Sequence, residues 1–212
     1  MKWFSVLSII IASLSILGCE PAATFDKPQP DNVNSLSTFP KRLQGHYLDS
    51  NLISVLTITD KLITRHYDVD FKEHKDSLGL SYQLSGDTLI NLTDGTREKI
   101  SLKGDTVLEH ETWTDTLFNI SADNVVKKFK GYYFLNNRYK DSSWEVKELL
   151  LHKGMLTVGS ISNKADIQKL KEITESTEDT ISTHFSLTKN QFKHFIRQDG
   201  FLEQEKFVRM KE

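Results

Sequence analysis

Apolar and polar residues alternate along most of the chain between residues 43 and 120. In residues 62–71, one side of an extended chain carries the apolar residues Ile63, Tyr67, Val69 and Phe71. The other side is polar. The runs are separated by dipeptides that favour tight turns, namely Gly86-Asp87, Asp94-Gly95 and Gly104-Asp105. A period of two residues between such turns predicts an antiparallel β-meander.

Two segments depart from this alternation and have helical spacing. Ile167, Leu170 and Ile173 predict a helix near residues 164–174. Phe192 and Ile196 are four residues apart and follow Thr188, whose hydroxyl can cap a helix. They predict a second helix near residues 188–198. Each helix is expected to present its apolar side to a core, and Gly200 is expected to end the second one.

Two pairs of segments in the chain resemble each other. Residues 41–48 and 127–134 share an apolar-x-Gly-x-Tyr pattern that opens a strand. Residues 118–131 and 185–200 share an aromatic residue, then a hydroxyl, then two apolar residues four apart, then a glycine. These matches indicate an internal duplication. Chance similarity between short amphipathic strands is the alternative.

The repeat predicts a mainly β fold of the α+β class, built from two similar antiparallel meander units. The first unit covers residues 39–127 and the second covers residues 128–212. Each is expected to end in a short helix, which in the first unit falls between Ser121 and Gly131. The Gly-x-Tyr opening resembles the Gly-x-Trp start of lipocalin-like barrels. That resemblance implies that each unit is a half-barrel.

The first 18 residues have the layout of an export signal. Lys2 is followed by an uncharged run, rich in serine, that is shorter than the roughly 20 apolar residues of a stable membrane span. The run ends in Ile16-Leu17-Gly18-Cys19, which resembles the bacterial lipobox. The resemblance implies cleavage before Cys19 and lipid attachment to its thiol. An ordinary secretory signal and a short uncleaved anchor are the alternatives.

Residues 19–38 contain three of the four prolines and have no periodic apolar pattern. We expect them to form a lipidated tether. Where a proline-rich segment adopts the polyproline conformation, it extends by about 3.1 Å per residue. Such a tether would hold the folded body some tens of ångströms from the bilayer.

The overall composition excludes some partners and some chemistry. The 27 basic and 29 acidic residues are interspersed and give a net charge of −2, so we expect no nucleic-acid partner. Cys19 is the only cysteine, so the chain cannot form an internal disulfide. The chain contains no familiar nucleophile elbow, phosphate-binding loop or zinc-protease motif. We therefore expect neither an enzyme of a familiar class nor a cofactor.

One polar strand face carries the strongest candidates for metal binding. His66, Asp68 and Asp70 alternate along one strand, so they could share a metal only if another strand supplied further ligands. A solvated polar face is the alternative that we favour. The same interpretation applies to Glu109-His110-Glu111. His184 and His194 flank the last helix, where a histidine is more often packed or hydrogen-bonded than a metal ligand.

Aromatic residues gather at the start of the second unit: Tyr132, Tyr133, Phe134, Tyr139 and Trp144. Such residues can line a ligand groove or a protein interface, but strand packing is the interpretation that we favour. The polar segment between Leu135 and Trp144 is a candidate contact loop.

Several features together resemble uncharacterised lipoproteins of Bacteroidetes-type bacteria. These features are the lipobox, the polar tether, the opening Phe39-Pro40-x-x-Leu43-x-Gly45-x-Tyr47 and the Thr188-x-x-x-Phe192 helix. The resemblance implies a cell-envelope protein held by a lipid on Cys19, and we favour the outer membrane over the inner. We expect a non-enzymatic module that binds an envelope protein, a glycan or an apolar ligand. The alternatives are an enzyme of unfamiliar type that uses the polar strand face, and a structural accessory subunit of an envelope complex.

Overall fold

The computed structural model describes residues 21–50, 53–175 and 183–211, so Cys19 and the expected export signal lie outside the described residues. The fold is mainly β, and nearly all of its strand pairs are antiparallel. Its strands are β1 (Thr24–Phe25), β2 (Ser35–Leu36), β3 (Gly45–Asp49), β4 (Ser54–Ile58), β5 (Leu62–His74), β6 (Tyr82–Ser85), β7 (Thr88–Asn91), β8 (Arg97–Lys99), β9 (Ser101–Lys103), β10 (Thr106–Asn119), β11 (Asn124–Phe129), β12 (Tyr132–Arg138), β13 (Trp144–His152), β14 (Met155–Ser160), β15 (His184–Phe185) and β16 (Glu203–Arg209).

Two α-helices occur in the described residues, α1 (Lys164–Thr174) and α2 (Lys189–Arg197). The Asn163 side chain accepts a hydrogen bond from the backbone of Asp166 and so caps α1. Thr188 caps α2 through a reciprocal pair of hydrogen bonds with Gln191, which confirms the predicted cap. None of the helices in the described part of the chain is both long enough and apolar enough to span a membrane.

The described residues divide into two compact units, each assembled from separate parts of the sequence. We call one the helical unit, which comprises Met1–Ser37, Ile120–Leu151 and Thr157–Glu205. The ribbon unit comprises Thr38–Asn119, His152–Leu156 and Lys206–Glu212. The boundary expected between residues 127 and 128 falls inside strand β11.

In the helical unit, β2, β11, β12, β13 and β14 are neighbours in an antiparallel sheet. Residues from this sheet, from both helices and from β1 share one apolar core. Its fully buried aromatic members are Phe25, Phe134, Phe192, Phe195 and Phe201. Phe134 and Phe192 meet at 4.9 Å between ring centres and nearly edge to face, a favourable geometry for two aromatic rings.

In the ribbon unit, the sheet order is β3-β4-β5-β10-β9, and residues 207–209 of β16 pair with β3. Strands β5 and β10 are much longer than their neighbours and continue as a two-stranded ribbon. A second sheet, β6-β7-β8, packs against β10 through a small core of Leu89, Ile100 and Val107. The predicted turns are confirmed, since Gly86, Gly95 and Gly104 all have positive φ. The strand orders do not close into a ring among the described residues.

The helix expected between Ser121 and Gly131 is wrong. Asn124–Phe129 is strand β11, which pairs with β12 over its whole length. Val125 and Val126 are β-branched and favour a strand, and β11 also pairs with β2. Strand pairing on both edges of this segment therefore outweighs the apolar spacing that suggested a helix.

The segment expected to be a tether packs against the helical unit from residue 23 onward. Ala23 and Phe25 are buried in the core, and β1 pairs with β13 and β15. The backbone of the buried residue Gln29 exchanges two hydrogen bonds with the Asn136 side chain. Lys127 donates hydrogen bonds to the carbonyl oxygens of Pro28 and Pro30 at 2.7 and 2.9 Å. The prolines lack N–H donors, so this arm is held by side chains that reach its carbonyl groups.

Candidate functional site

Strands β5 and β10 pair residue by residue, and this pairing sorts their side chains onto two faces. His66, Asp68 and Asp70 share one face, opposite Thr114, Thr112 and His110 respectively. Tyr67, Val69 and Phe71 share the other, and Tyr67 stacks on Trp113 with 4.5 Å between ring centres. The first face is exposed along its length, whereas Tyr67 and Val69 are partly buried.

On the polar face, His110 of β10 lies between Asp68 and Asp70 of the neighbouring strand β5. The His110 Nδ1 atom lies 2.9 Å from Asp70, and its Nε2 atom lies 3.7 Å from Asp68. The hydrogen bond to Asp70 and the charge of Asp68 raise the pKa of His110. His66 instead pairs with the Thr114 hydroxyl at 2.9 Å. Within the described residues, no group of three such side chains has an arrangement that could hold a metal ion.

The other face of the ribbon forms one wall of a groove, which we call the ribbon groove. The opposite wall comes from the β6-β7-β8 sheet and the chain before it, and the groove has a volume of about 480 Å³. Phe71 and Tyr82 line it, each 45% exposed. Leu89 and Val107 form a buried apolar floor.

The charged residues in the described lining of the ribbon groove are all acidic. Glu73, Glu98 and Glu111 line it, and its described lining contains no lysine, arginine or histidine. Nearby lysines are engaged elsewhere: Lys75 lies 2.5 Å from Asp105, and Lys99 lies 3.8 Å from Asp87. The groove therefore combines half-exposed aromatic rings with carboxylates that lack a basic neighbour in the lining.

A second candidate lies in the helical unit, around Glu148, and we call it the Glu148 pocket. Alternation along β13 places Trp144, Val146 and Glu148 on one face. Trp144 and Val146 pack in the aromatic core, so Glu148 occupies an inward position where an apolar residue would be expected. It is 6% exposed.

The Glu148 pocket has a volume of about 210 Å³ and a mixed lining. Tyr132, Leu150, Ile196 and Leu202 supply its apolar surface, and Asp199 supplies a second carboxylate. No described residue donates a hydrogen bond to the Glu148 carboxylate. Burial, together with the negative charge of Asp199, raises the pKa of Glu148 to about 7. Burial and the same two carboxylates also raise the pKa of Tyr132.

The loop that carries Asp199 has an uncommon backbone held by several contacts. Asp199 and Phe201 have φ values of 52° and 61°, a conformation that is unfavourable for a bulky residue such as phenylalanine. Asp166 accepts a hydrogen bond from the backbone of Leu202, and Lys169 donates one to the carbonyl of Asp199. A side chain at Gly200 would meet the Phe195 ring at 2.5 Å, so close packing requires glycine there.

The remaining sequence candidates are dispersed. The His184 ring contacts the Thr24 hydroxyl at 3.0 Å, and the His194 ring contacts Gln198 at 3.2 Å. Among the clustered aromatic residues, Tyr133, Phe134 and Trp144 are buried, whereas Tyr132 lines the Glu148 pocket. Tyr139 lies beside the Lys140 ammonium group.

Glu148 and Asp199 are not singled out by any sequence motif. The available signal is a lone charge in the inward register of Trp144, Val146 and Leu150 on β13. Comparison of the chain with protein families, with curated proteins and with solved structures finds no match. The two sites are therefore interpreted from their own geometry.

Proposed function

We propose that the protein is a non-enzymatic binding module of the cell envelope, and that its ribbon groove binds a basic, partly apolar segment of a partner protein. The observation that carries this proposal is the groove itself. Half-exposed Phe71 and Tyr82 face carboxylates without basic neighbours in the described lining. Large side chains left half-exposed beside a concave surface are typical of binding sites.

Charge complementarity favours a cationic partner over a neutral one. The three exposed carboxylates offer pairing positions for a lysine or arginine of a partner. The aromatic faces of Phe71 and Tyr82 can also attract a cation or cover its aliphatic stem. A glycan could use the same rings but would leave the carboxylate charges uncompensated.

Titration of the purified chain with a fluorescent peptide of alternating lysine and valine tests this proposal. We expect saturable binding that weakens with added salt, because exposed charge pairs are screened. The double variant Glu98→Gln, Glu111→Gln should weaken binding about fivefold, at roughly 0.5 kcal/mol for each exposed pair. Asp68→Asn, on the polar face of the same ribbon, is the matched control and should bind normally.

Two results would contradict the groove proposal. One is equal binding of a peptide in which glutamate replaces lysine. The other is unchanged binding by the double glutamine variant. Binding of a neutral oligosaccharide in the groove, without binding of the basic peptide, would replace the protein partner with a glycan.

The proposed address is a membrane of the cell envelope, through a lipid on Cys19, with the outer membrane favoured over the inner. Its support is the resemblance of Ile16-Leu17-Gly18-Cys19 to a lipobox after a short uncharged run. An enzyme that uses His66, Asp68 and Asp70, and a structural accessory subunit, stay predictions. We rank both below binding, because the polar face with His66, Asp68 and Asp70 is exposed, whereas the groove lies on the other face of the ribbon.

We also propose that the two strand openings derive from an internal duplication and form half-barrels of the lipocalin type. The support is conformational: Gly45 and Gly131 both have positive φ, and Tyr47 and Tyr133 are both fully buried. An experimental structure in which residues 43–58 and 129–144 superpose with the same curvature would support this. Different curvature would count against it.

A further inference from the structure

The Glu148 pocket contains a mostly buried carboxyl group that has no hydrogen-bonding partner among the described residues. Glu148 is 6% exposed and receives no hydrogen bond from a described residue. The charged residue that affects the pKa of Glu148 is Asp199, and its charge is also negative. A buried carboxylate normally has a cationic or hydrogen-bonding partner, because burial of an unpaired charge is strongly unfavourable.

The described lining of the pocket contains no lysine or arginine, and Lys169, which contacts the loop that carries Asp199, is engaged by other groups. Lys169 of α1 donates to the Asp199 carbonyl at 2.7 Å and lies 3.7 Å from the Asp166 carboxylate. It therefore binds the backbone of the loop and a different acid. From β12 the group that faces Glu148 is the Tyr132 phenol, and from the loop after α2 it is Asp199.

The walls of the pocket complement an aliphatic stem. Leu150, Ile196 and Leu202 are apolar, and the Tyr132 ring can attract a cation through its face. Glu148 is buried, whereas Asp199 is exposed at the rim. A volume of about 210 Å³ suits a small group rather than an extended chain.

We propose that the Glu148 pocket binds a single alkylammonium group, with its charge between Glu148 and Asp199 and its stem against Leu150, Ile196 and Leu202. The source is either a lysine side chain of a partner protein or a free amine of the envelope. This site is separate from the ribbon groove and does not depend on the function proposed for it. A resident metal is a weaker match, because the described residues contain no three-ligand arrangement.

Binding should be linked to the ionisation of Glu148. The cation favours the carboxylate, so it must displace the proton that Glu148 retains up to a pH of about 7. Affinity is therefore expected to rise as the pH increases through about 7. It should remain high until the amine loses its own proton, near pH 10 for a lysine-like group.

The test is titration of the purified full-length chain with n-butylammonium at pH 6 and pH 8, followed by NMR of the Glu148 carboxyl carbon and the Tyr132 ring. We expect saturable shifts at both groups and tighter binding at pH 8. Glu148→Gln should weaken binding by about tenfold or more, because a buried charge-assisted hydrogen bond is lost. Asp199→Asn is the second variant, since asparagine tolerates a positive φ, and it should weaken binding less.

Further measurements distinguish the two sources of the alkylammonium group and provide controls. A peptide with one lysine that binds as butylammonium does indicates a protein side chain, whereas binding of the free amine alone indicates a small ligand. Asp68→Asn is the distant control and should bind normally. Equal binding of the neutral analogue n-pentanol, unchanged binding by a folded Glu148→Gln variant, or no saturable shift at pH 8 would each overturn the proposal.

Discussion

Glu148 shows how one inward charge changes the stability of the fold with pH. In the folded chain its pKa is about 7, above the ordinary value of 4.5, so the folded state holds a proton that the unfolded state has released between these values. The free energy of unfolding therefore falls as the pH rises from 4.5 to 7. The loss is about 3 kcal/mol at most, because each unit of pKa shift corresponds to about 1.4 kcal/mol.

Glu148→Gln should remove this part of the pH dependence. Glutamine has a similar shape and carries no charge, so we expect the variant to be more stable than the parent at pH 8 and close to it at pH 4.5. Urea denaturation across that pH range measures the difference. Glu98→Gln is exposed and serves as the comparison. Parallel pH profiles for parent and Glu148→Gln would contradict the raised pKa.

At the scale of single elements, Asn136 is one of the side chains that hold the N-terminal arm. Asn136 bonds both the N–H and the carbonyl of Gln29, and all of these groups are buried. Asn136→Ala leaves these buried backbone groups unpaired, at a cost of about 2–3 kcal/mol. We expect lower stability in urea and faster proteolysis of residues 21–37. Asn137→Ala, at the next and less buried position on β12, is the matched control, and equal effects of both variants would show that the arm is not held this way.

The sequence predicted those elements whose apolar pattern agrees with their local environment. The β5 and β10 ribbon alternates in sequence as it does in the structure, and Thr188 marks the start of α2. Asn124–Phe129 differs because its strand character comes from pairing with β2 and β12, segments distant in sequence. The arm was predicted to be a tether because its contacts are made by side chains of Lys127 and Asn136, about a hundred residues further along the chain.

The candidate sites show the same limit. The sequence placed His66, Asp68 and Asp70 on one face and could not show that His110 lies between the two aspartates, since that depends on the register of β5 with β10. The Glu148 pocket joins a strand, a helix end and a strained loop. No short motif encodes such an arrangement, because its parts meet only after the core has packed.

For the whole molecule, the proposed location depends on one residue, Cys19. With a lipid on its thiol, the chain should incorporate labelled palmitate in a bacterial host and sediment with the membrane fraction, since more than one acyl chain gives stable attachment. Cys19→Ala should abolish the label and release the protein from that fraction. Ser15→Ala, within the expected export signal, should behave as the parent does, and labelling of Cys19→Ala would refute the proposal.

The packed arm changes the reach of such an anchor. Ala23 is fixed in the core of the helical unit, so only residues 20–22 separate it from Cys19. Four extended steps of chain cover about 14 Å, less than half the thickness of a bilayer. A protein anchored at this short distance would diffuse in two dimensions, along the plane of the lipid headgroups. Its partners would then be molecules that share that layer.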